Sequence, residues 1–469
     1  MRSRYRTTLI VLFLATLARG LAYGDALPAW QGPDEPTHYA YVERLTTGGF
    51  PPTQSSDVVF SKAVTVSVQR TITSFREHRA DRPLTPQAER NLLTREPPGL
   101  STAGNGTLGA NAYPPLYYLT LLPAYWLGGD TATDRLYAMR FTNALYGALF
   151  ALAITLLIRT VTHNRRLAIA AALLASLPPI VTQAGGTCTP DIALALFGTL
   201  ACWSVVRLGR LARVRDISLA GSALLATALT KPVGAFLAVI LLVTVGWPWL
   251  MPALRRMRPV YLLPLAAVGA ATLWFAGTRA VNIQGAASHG TLPTIRYGIS
   301  YLWQYYLPRL SFMKPAFTTP SVLTDPVPLW GTWVRTGAGS FGWLSAWLPK
   351  WAYFVAIAGT LSSVLGGLYA VVRNRSSEVS RIALRALCGV VLFILVLHVT
   401  EVVSLVNGTG LVLQGRYLLP VIPLLALAFT APLAQISERA RSSILAASLA
   451  SWGLVSIVGF ATVISFFST

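Results

Sequence analysis

The sequence predicts an all-α polytopic membrane protein with about eleven transmembrane helices, and three observations carry that expectation. Of its 469 residues, 54% are hydrophobic and only 12% are charged, and the mean hydropathy is +0.54. Soluble domains do not have that balance. The apolar residues come in runs of the length a bilayer core requires, about 20 per helix. The 38 Lys and Arg residues, which give a net charge of +21, fall in short clusters between those runs and not along one stripe. Such clustering is the topology signal of cytoplasmic loops, so the charge does not imply a nucleic-acid partner.

Met1 to Arg6 is basic, and the run from Thr7 to about Tyr23 has no small-residue cleavage site. It reads as a retained first helix with its N-terminus inside. Residues from about 25 to 135 then form a large outer segment, polar between Thr46 and Asn111. The run Leu136 to Ile158 returns to the basic stretch His163-Asn164-Arg165-Arg166. Leu167 to Val181 goes out, and Asp191 to Val206 comes back to Arg207, Arg210, Arg213 and Arg215, the strongest inside marker. Ile217 to Thr230 and Val233 to Leu250 form an outward and return pair broken at Lys231-Pro232 and ending at Arg255, Arg256 and Arg258, which puts Lys231 outside.

Val260 to Gly277 leads to a second outer loop, about 278 to 350, rich in Trp, Tyr and Pro. Trp351 to Val372, Ile382 to Leu405, Tyr417 to Ala434 and Ser443 to Phe467 complete the count, with every short Arg cluster on one side. The stretch "YPPLYYLTLLPAYWLGG", Tyr113 to Gly129, has only about 15 apolar residues, and counting it as a span would invert every later cluster. It is predicted to lie in the plane of the outer interface. The whole chain, 1–469, reads as a single integral membrane domain without internal repeats. Cys188, Cys202 and Cys388 lie in or beside apolar segments without metal-type spacing, so they read as packing residues.

With only 17 acidic residues in the chain, their positions are informative. Asp34, Glu35, Asp191 and Glu401 sit at outer ends of predicted helices, where carboxylates near hydrocarbon are costly and point to function. After the break at Gly32-Pro33, Asp34 or Glu35 either caps the segment Thr37 to Arg44 or acts as a general base at a water-excluding interface. That segment carries Tyr39, Tyr41, Val42 and Leu45, which suits a helix along the membrane surface. Lys231, Arg140, Arg279 and Arg416 lie beside spans or breaks, where a charge either snorkels to headgroups or meets an anion such as phosphate. Asp191 opens a helix and suits its positive N-terminus. Glu401 and His398, three apart, share a helical face and either bind an acceptor or pair with Arg416. His38 and His289 show no metal spacing, and two glycosylation sequons, at Asn105 and Asn407, match by composition only.

Together these motifs resemble the GT-C-fold glycosyltransferases. "PDEPTHYAYVERL" is similar to the Asp-Glu motif in the first outer loop of protein O-mannosyltransferases, lipid A aminoarabinose transferases and uncharacterised DUF2142-type bacterial membrane proteins. "YPPLYYL" resembles the juxtamembrane helix of that group, and "LYAMRFTNALYGAL" the start of its second true span. "CTPDIAL" and "QGRYLLPVIPLL" resemble its Asn-Pro-Asp and C-terminal Arg-Tyr-Leu-Leu-Pro elements, so the likeness runs from residue 31 to about 425. The resemblance departs from the aminoarabinose transferases at Thr37 and His38, where a basic residue follows Asp-Glu-Pro, and at Tyr113, where a Lys precedes Pro-Pro.

The resemblance implies a GT-C-type bundle with juxtamembrane helices in a large first extracytoplasmic loop, seated in a bacterial cytoplasmic membrane; the bias of 34 Arg to 4 Lys suits a GC-rich bacterial genome. It implies inverting transfer of a sugar from a polyprenyl-phosphate donor to a glycan, glycolipid or protein acceptor on the extracytoplasmic face. On that reading Asp34 is the general base and Glu35 positions its loop, while Arg416 and Tyr417, with Lys231 or Arg140, meet the donor phosphate. His38, Tyr39, Tyr113, Tyr117, Asp191, Glu401 and Gln414 are the candidates for contact with acceptor or substrate. The resemblance implies no required cofactor, a divalent cation stays open because only some GT-C branches use one, and membrane lipids are the other expected partner; the oligomeric state is not readable. Two alternatives differ in what they demand. A polysaccharide polymerase or O-antigen ligase would place its key Arg and His residues in later outer loops, and a transporter or flippase would show mid-span charges and paired repeats.

Overall fold

The computed structural model describes residues 2–47, 60–61, 63–65, 67–68, 110, 113–211, 214–246, 269–270, 291–314, 329–342, 344–406 and 414–467. Apart from 269–270, the expected span Val260 to Gly277 lies outside these residues. So do most of the polar first loop, the two sequons, His289, Arg213, Arg279 and the cluster Arg255, Arg256 and Arg258.

The described chain is a helical bundle. Seven of its helices are long and apolar enough to cross a membrane, or eight if one bent pair counts as a span. Length makes the case for each: the first helix, Arg2–Ala26, has 25 residues, about 37 Å at 1.5 Å per residue, against a hydrocarbon core of about 30 Å. The 31-residue helix Ala132–Thr162 starts where the Thr131 hydroxyl accepts from the Asp134 amide at 3.0 Å. It ends where His163 turns left-handed, φ 56°, and returns its own amide to the Arg159 carbonyl. Asn164 then caps Arg165–Ser176 through the Leu167 amide at 3.0 Å. The left-handed His163 and the Asn164 cap together make a tight reversal in the middle of an arginine cluster.

Of the other expected spans, Asp191–Leu211, Lys350–Arg373, Glu378–Val406 and Glu438–Phe467 are continuous helices. The stretch Gly415–Gln435 crosses as a series of 3₁₀, α and π turns around Pro420, Pro423 and Pro432. Val214–Ala228 has 15 residues, and Pro232–Leu241 has ten with a π turn after it; both fall short of the others. The stretch predicted to lie in plane is the 12-residue helix Leu116–Leu127. It is too short to span and packs on Glu35–Thr47 and Ala132–Thr162.

One expectation is corrected. The single outward run Leu167 to Val181 is instead two helices, Arg165–Ser176 and Pro179–Gly186, bent by 72°. Pro178 and Pro179 supply no amide donors, so the first piece ends with free carbonyls inside the bundle. Arg19 of the first helix fills the break. It donates to the carbonyls of Ser176 and Leu177, both at 3.1 Å, and to the hydroxyls of Thr182 at 2.6 Å and Ser456 at 2.8 Å. The same helix meets Pro179–Gly186 backbone to backbone: a Cβ on Gly186 would stand 2.8 Å from the Gly20 carbonyl oxygen and the Gly24 amide nitrogen. Only glycine permits that approach.

The bundle has two different ends. At one, Tyr5 lies between Arg159 and Arg165, each 5.1 Å from its ring, Arg166 meets Glu438 at 3.2 Å, and Arg207 meets Asp216 at 2.7 Å. At the other, a fully buried aromatic layer of Trp30, Tyr39, Tyr41, Tyr117 and Tyr118 lies under the short helices Glu35–Thr47 and Leu116–Leu127. Tyr41 and Tyr118 stack there with centroids 3.7 Å apart.

Replacing Arg19 with Leu is expected to lower stability by about 2 kcal/mol or more, because each buried carbonyl left without a donor costs about 1–3 kcal/mol. Thermal unfolding in detergent checks this, and an unchanged midpoint would show that the break does not need its arginine.

Candidate active site

The loop between the first helix and Glu35–Thr47 places two adjacent carboxylates in opposite environments. Two of its residues, Trp30 at φ 66° and Asp34 at φ 60°, occupy the left-handed region although neither is glycine. Such strain persists only where the surroundings hold it. What holds it is Glu35, which is completely buried. Its Oε1 accepts from Arg140 Nε and from the Cys188 amide, both at 2.8 Å. Its Oε2 accepts from Arg140 Nη2 at 2.6 Å and from the Gly32 amide at 2.9 Å. A Cβ at Gly32 would stand 2.4 Å from the Glu35 carboxyl carbon, so the loop closes this tightly only over a glycine.

Arg140 is consumed by the same lock. Beyond Glu35 it donates through Nη1 to the carbonyls of Gly24 at 2.7 Å and Leu27 at 2.6 Å, and through Nη2 to Pro28 at 2.9 Å. A guanidinium has five N–H donors, and all five are used. The expectation that Arg140 meets a donor phosphate is therefore corrected: this side chain ties the end of the first helix to the loop.

Asp34 points the other way, and its side chain is 46% exposed. Its Oδ2 accepts from Arg416 Nη2 at 2.8 Å. Arg416 opens the 3₁₀ turn Gly415–Val421. Its guanidinium lies 5.1 Å from the Tyr417 ring, and Nη2 is 3.4 Å from the Tyr417 hydroxyl. Arg416 Nε is buried and, among the described residues, has no hydrogen-bond partner. Beside this pair Lys231, the residue before Pro232–Leu241, meets Asp191 Oδ1 at 2.5 Å. The ammonium is 5.1 Å from the Tyr417 ring and 6.0 Å from Tyr113. His38 completes the group, with Nδ1 3.0 Å from the Tyr118 hydroxyl and its ring 5.8 Å from Tyr113.

These neighbours set the protonation states. Burial acts to raise the Asp34 carboxyl, but the charge of Arg416, its hydrogen bond and the charge of Lys231 outweigh it and hold it below the ordinary carboxylate value. Burial pushes His38 down to about 4, against the pull of Asp34. At neutral pH Asp34 is therefore an anion and His38 is uncharged. A half-exposed, ionised carboxylate beside two cations can accept a proton from a hydroxyl while those cations hold an anion.

The fold brings together Asp34, His38, Tyr113, Asp191, Lys231, Arg416 and Tyr417, and it places other sequence candidates elsewhere. Tyr39 is fully buried against Trp30 and Tyr125, with centroids at 5.1 and 5.7 Å. Tyr117 is fully buried and donates to Asn143 Oδ1 at 3.2 Å. Both pack inside the aromatic layer, away from the paired charges. Glu401 belongs to a separate buried group with Tyr301 and His398, whose Nδ1 is 3.9 Å away. The carboxylate that pairs with Arg416 is Asp34. Gln414 contributes its carbonyl, which accepts from the Tyr417 amide at 3.0 Å.

Asn143 was not picked out from the sequence. Its Nδ2 donates to the carbonyls of Thr187 and of Thr189, the latter at 2.9 Å. It thereby fixes the turn that offers the Cys188 amide to Glu35 and leads into Asp191. Its position three residues after Arg140, on the same helical face, was the available signal. Among the described residues no group of three or more His, Cys, Asp or Glu side chains is placed to hold a metal ion. Asp34 and Asp191 each already answer a cation.

A family model described as "Predicted membrane protein (DUF2142)" matches residues 20–425. No curated protein matches the chain. Among solved structures, the ligand-free oligosaccharyltransferase of Archaeoglobus fulgidus aligns with a TM-score of 0.50 at 12% identity, over 97% of this chain and 56% of its own. ArnT from Cupriavidus metallidurans bound to undecaprenyl phosphate gives 0.46 at 17% identity, over 93% and 62%. AglB from Archaeoglobus fulgidus, in complex with an inhibitory peptide and a dolichol-phosphate, gives 0.45 at 12%, over 96% and 56%. These neighbours are GT-C-fold glycosyltransferases, and the likeness to the ligand-free oligosaccharyltransferase is one of fold alone. The chain spans less than two thirds of the length of each.

The lock and the exposed carboxylate are expected to separate cleanly by mutation. Arg140→Met leaves Glu35 buried without its cation and should cost about 3–5 kcal/mol, whereas Asp34→Asn should change stability by less than about 1 kcal/mol. Thermal unfolding of the two purified variants in detergent measures both, and equal losses would refute the division of roles.

Proposed function

The chain belongs to the DUF2142 family of membrane proteins, and we propose that it is an inverting GT-C-type glycosyltransferase. On this reading it moves a sugar from a polyprenyl-phosphate donor to a glycan, glycolipid or protein acceptor at the extracytoplasmic face of a bacterial cytoplasmic membrane. The observation that carries the proposal is the division between the two adjacent carboxylates. Each carboxylate oxygen of Glu35 accepts two hydrogen bonds. Asp34 is half-exposed, ionised, and one hydrogen bond from Arg416.

The chemistry needs that arrangement. An acceptor hydroxyl oxygen attacks the anomeric carbon, its proton passes to Asp34, and the bond from that carbon to the phosphate oxygen breaks. The polyprenyl phosphate leaves with the bonding electrons, and positive charge must meet it as it departs. Arg416 is built for this, because Nη2 and the unpartnered Nε form one edge of a fork that suits two phosphate oxygens. Taking the phosphate on that edge draws Arg416 off Asp34 and makes the carboxylate more basic as donor arrives. Lys231 adds a second cation, and Tyr417 lies against both. Glu35 and Arg140 hold the loop, and His38, Tyr113 and Asp191 line the remaining wall. A bound divalent cation, if the reaction uses one, would add charge at the departing phosphate.

Asp34→Asn is expected to reduce transfer by about 10²–10⁴-fold, with donor binding changed only a few-fold. Radiolabelled lipid-linked sugar assayed with purified protein tests this, and full activity in the variant would reject Asp34 as base. Arg416→Ala should weaken binding of polyprenyl phosphate by tenfold or more, about 1.4 kcal/mol; unchanged affinity would remove it from the phosphate site. Because Asp34 is held below the ordinary carboxylate value, kcat/KM should show no acid limb from this group between about pH 5 and 7. An acid limb in that window that disappears in Asp34→Glu would contradict the ionised-base assignment.

A further inference from the structure

We infer that His38 is the proton acceptor that balances the charge of the bound lipid phosphate, so that the protein takes up one proton when its donor binds. The inference rests on the reading above and extends it to the protonation of the site.

The paired side chains of the site sum to no net charge. Asp34 meets Arg416 at 2.8 Å and Asp191 meets Lys231 at 2.5 Å, two anions against two cations. The nearby pair of Glu35 and Arg140 is likewise closed on itself. A sugar-phosphate diester entering this group adds one negative charge with no cation left over, and the polyprenyl phosphate that remains after transfer carries close to two. Buried charge is tolerated only when it is paired. The group must therefore gain a positive charge as the phosphate arrives.

His38 is the side chain positioned to supply it. It is 4% exposed and packs between Tyr113 and Tyr118. Asp34, Lys231, Asp191 and Arg416 all act on its ring. The phenols of Tyr113 and Tyr118 are pushed up by burial and stay protonated, so neither can contribute a positive charge. Nδ1 is engaged by the Tyr118 hydroxyl at 3.0 Å, and among the described residues Nε2 has no hydrogen-bond partner. Without a ligand, burial keeps the imidazole neutral. An added anion reverses that balance, since a negative charge within a few ångströms favours imidazolium. The step is a simple proton uptake: neutral His38 plus one solvent proton gives imidazolium facing the phosphate, with no redox change. The same imidazolium then stands beside Asp34, which receives the acceptor's proton during transfer.

The test uses the full-length protein in detergent and a short-chain polyprenyl methyl phosphodiester, a probe that does not itself titrate between about pH 5 and 8. Calorimetry in two buffers of different ionisation enthalpy counts the protons. Uptake near one proton per diester is expected at about pH 6, with affinity falling about tenfold for each pH unit of increase until the bound imidazole loses its proton. His38→Gln should retain weaker binding that is independent of pH, with uptake near zero; if that variant does not fold, His38→Asn serves, and the wild-type proton count stands on its own. Binding without proton uptake overturns the inference, and so does uptake that persists in the folded variant. Binding that requires added Mg²⁺ in place of a proton overturns it as well, because a metal would then be the balancing charge. If the wild-type protein does not bind the diester at all, while Arg416→Ala behaves the same, the polyprenyl-phosphate reading itself fails and takes the inference with it.

Discussion

The contact between Glu35 and Arg140 is the constraint on which the rest depends. It joins the end of the first helix, the start of the helix Glu35–Thr47, the helix Ala132–Thr162 and the turn at Cys188 through a single buried ion pair. An ion pair of this kind adds little net stability over a well-packed apolar core, since removing two charges from water costs several kcal/mol each. What it does supply is a specific geometry. With every donor and acceptor taken, the loop has one low-energy arrangement, and the left-handed Asp34 is a product of it.

A second consequence concerns the division of labour among charges. The site holds three carboxylates and three cations in pairs, yet only one carboxylate retains an exposed face. Adjacent residues of the same chemical type thereby acquire different uses, one fixed by saturation of its lone pairs and one left open to exchange partners. The aromatic layer beneath them keeps water from relaxing the fields between the pairs, which is why a cation several ångströms away still shifts Asp34 and His38.

The spans were legible because a bilayer imposes a length on them: runs of about 20 apolar residues between arginine clusters became Arg2–Ala26, Ala132–Thr162, Lys350–Arg373 and Glu438–Phe467. The break at Leu177 was not, because two prolines inside an otherwise apolar run do not show whether the chain bends or stops. Arg19 was the clue to it, a charge inside a spanning run that requires partners. Asp34, Glu35, Lys231 and Arg416 could be picked out from the scarcity of charge, but their pairing could not, since Arg140 lies 105 residues from Glu35 and Lys231 lies 40 from Asp191. The burial of Tyr39 and Tyr117 was not legible, because an aromatic side chain at an interface has the same sequence signature whether it faces a ligand or a core.

The left-handed backbone at Asp34 also restricts what evolution can do there. At φ 60° most side chains meet a steric penalty of about 1–2 kcal/mol, which Gly avoids and Asn tolerates. Asp codons reach Asn and Gly by one base change each. The substitutions that remove the carboxylate most readily are therefore the ones that leave the turn intact. A relative carrying Asn or Gly at this position would keep the lock, the aromatic layer and the cations, and it would be a folded protein whose Arg416 and Lys231 face no carboxylate from this loop.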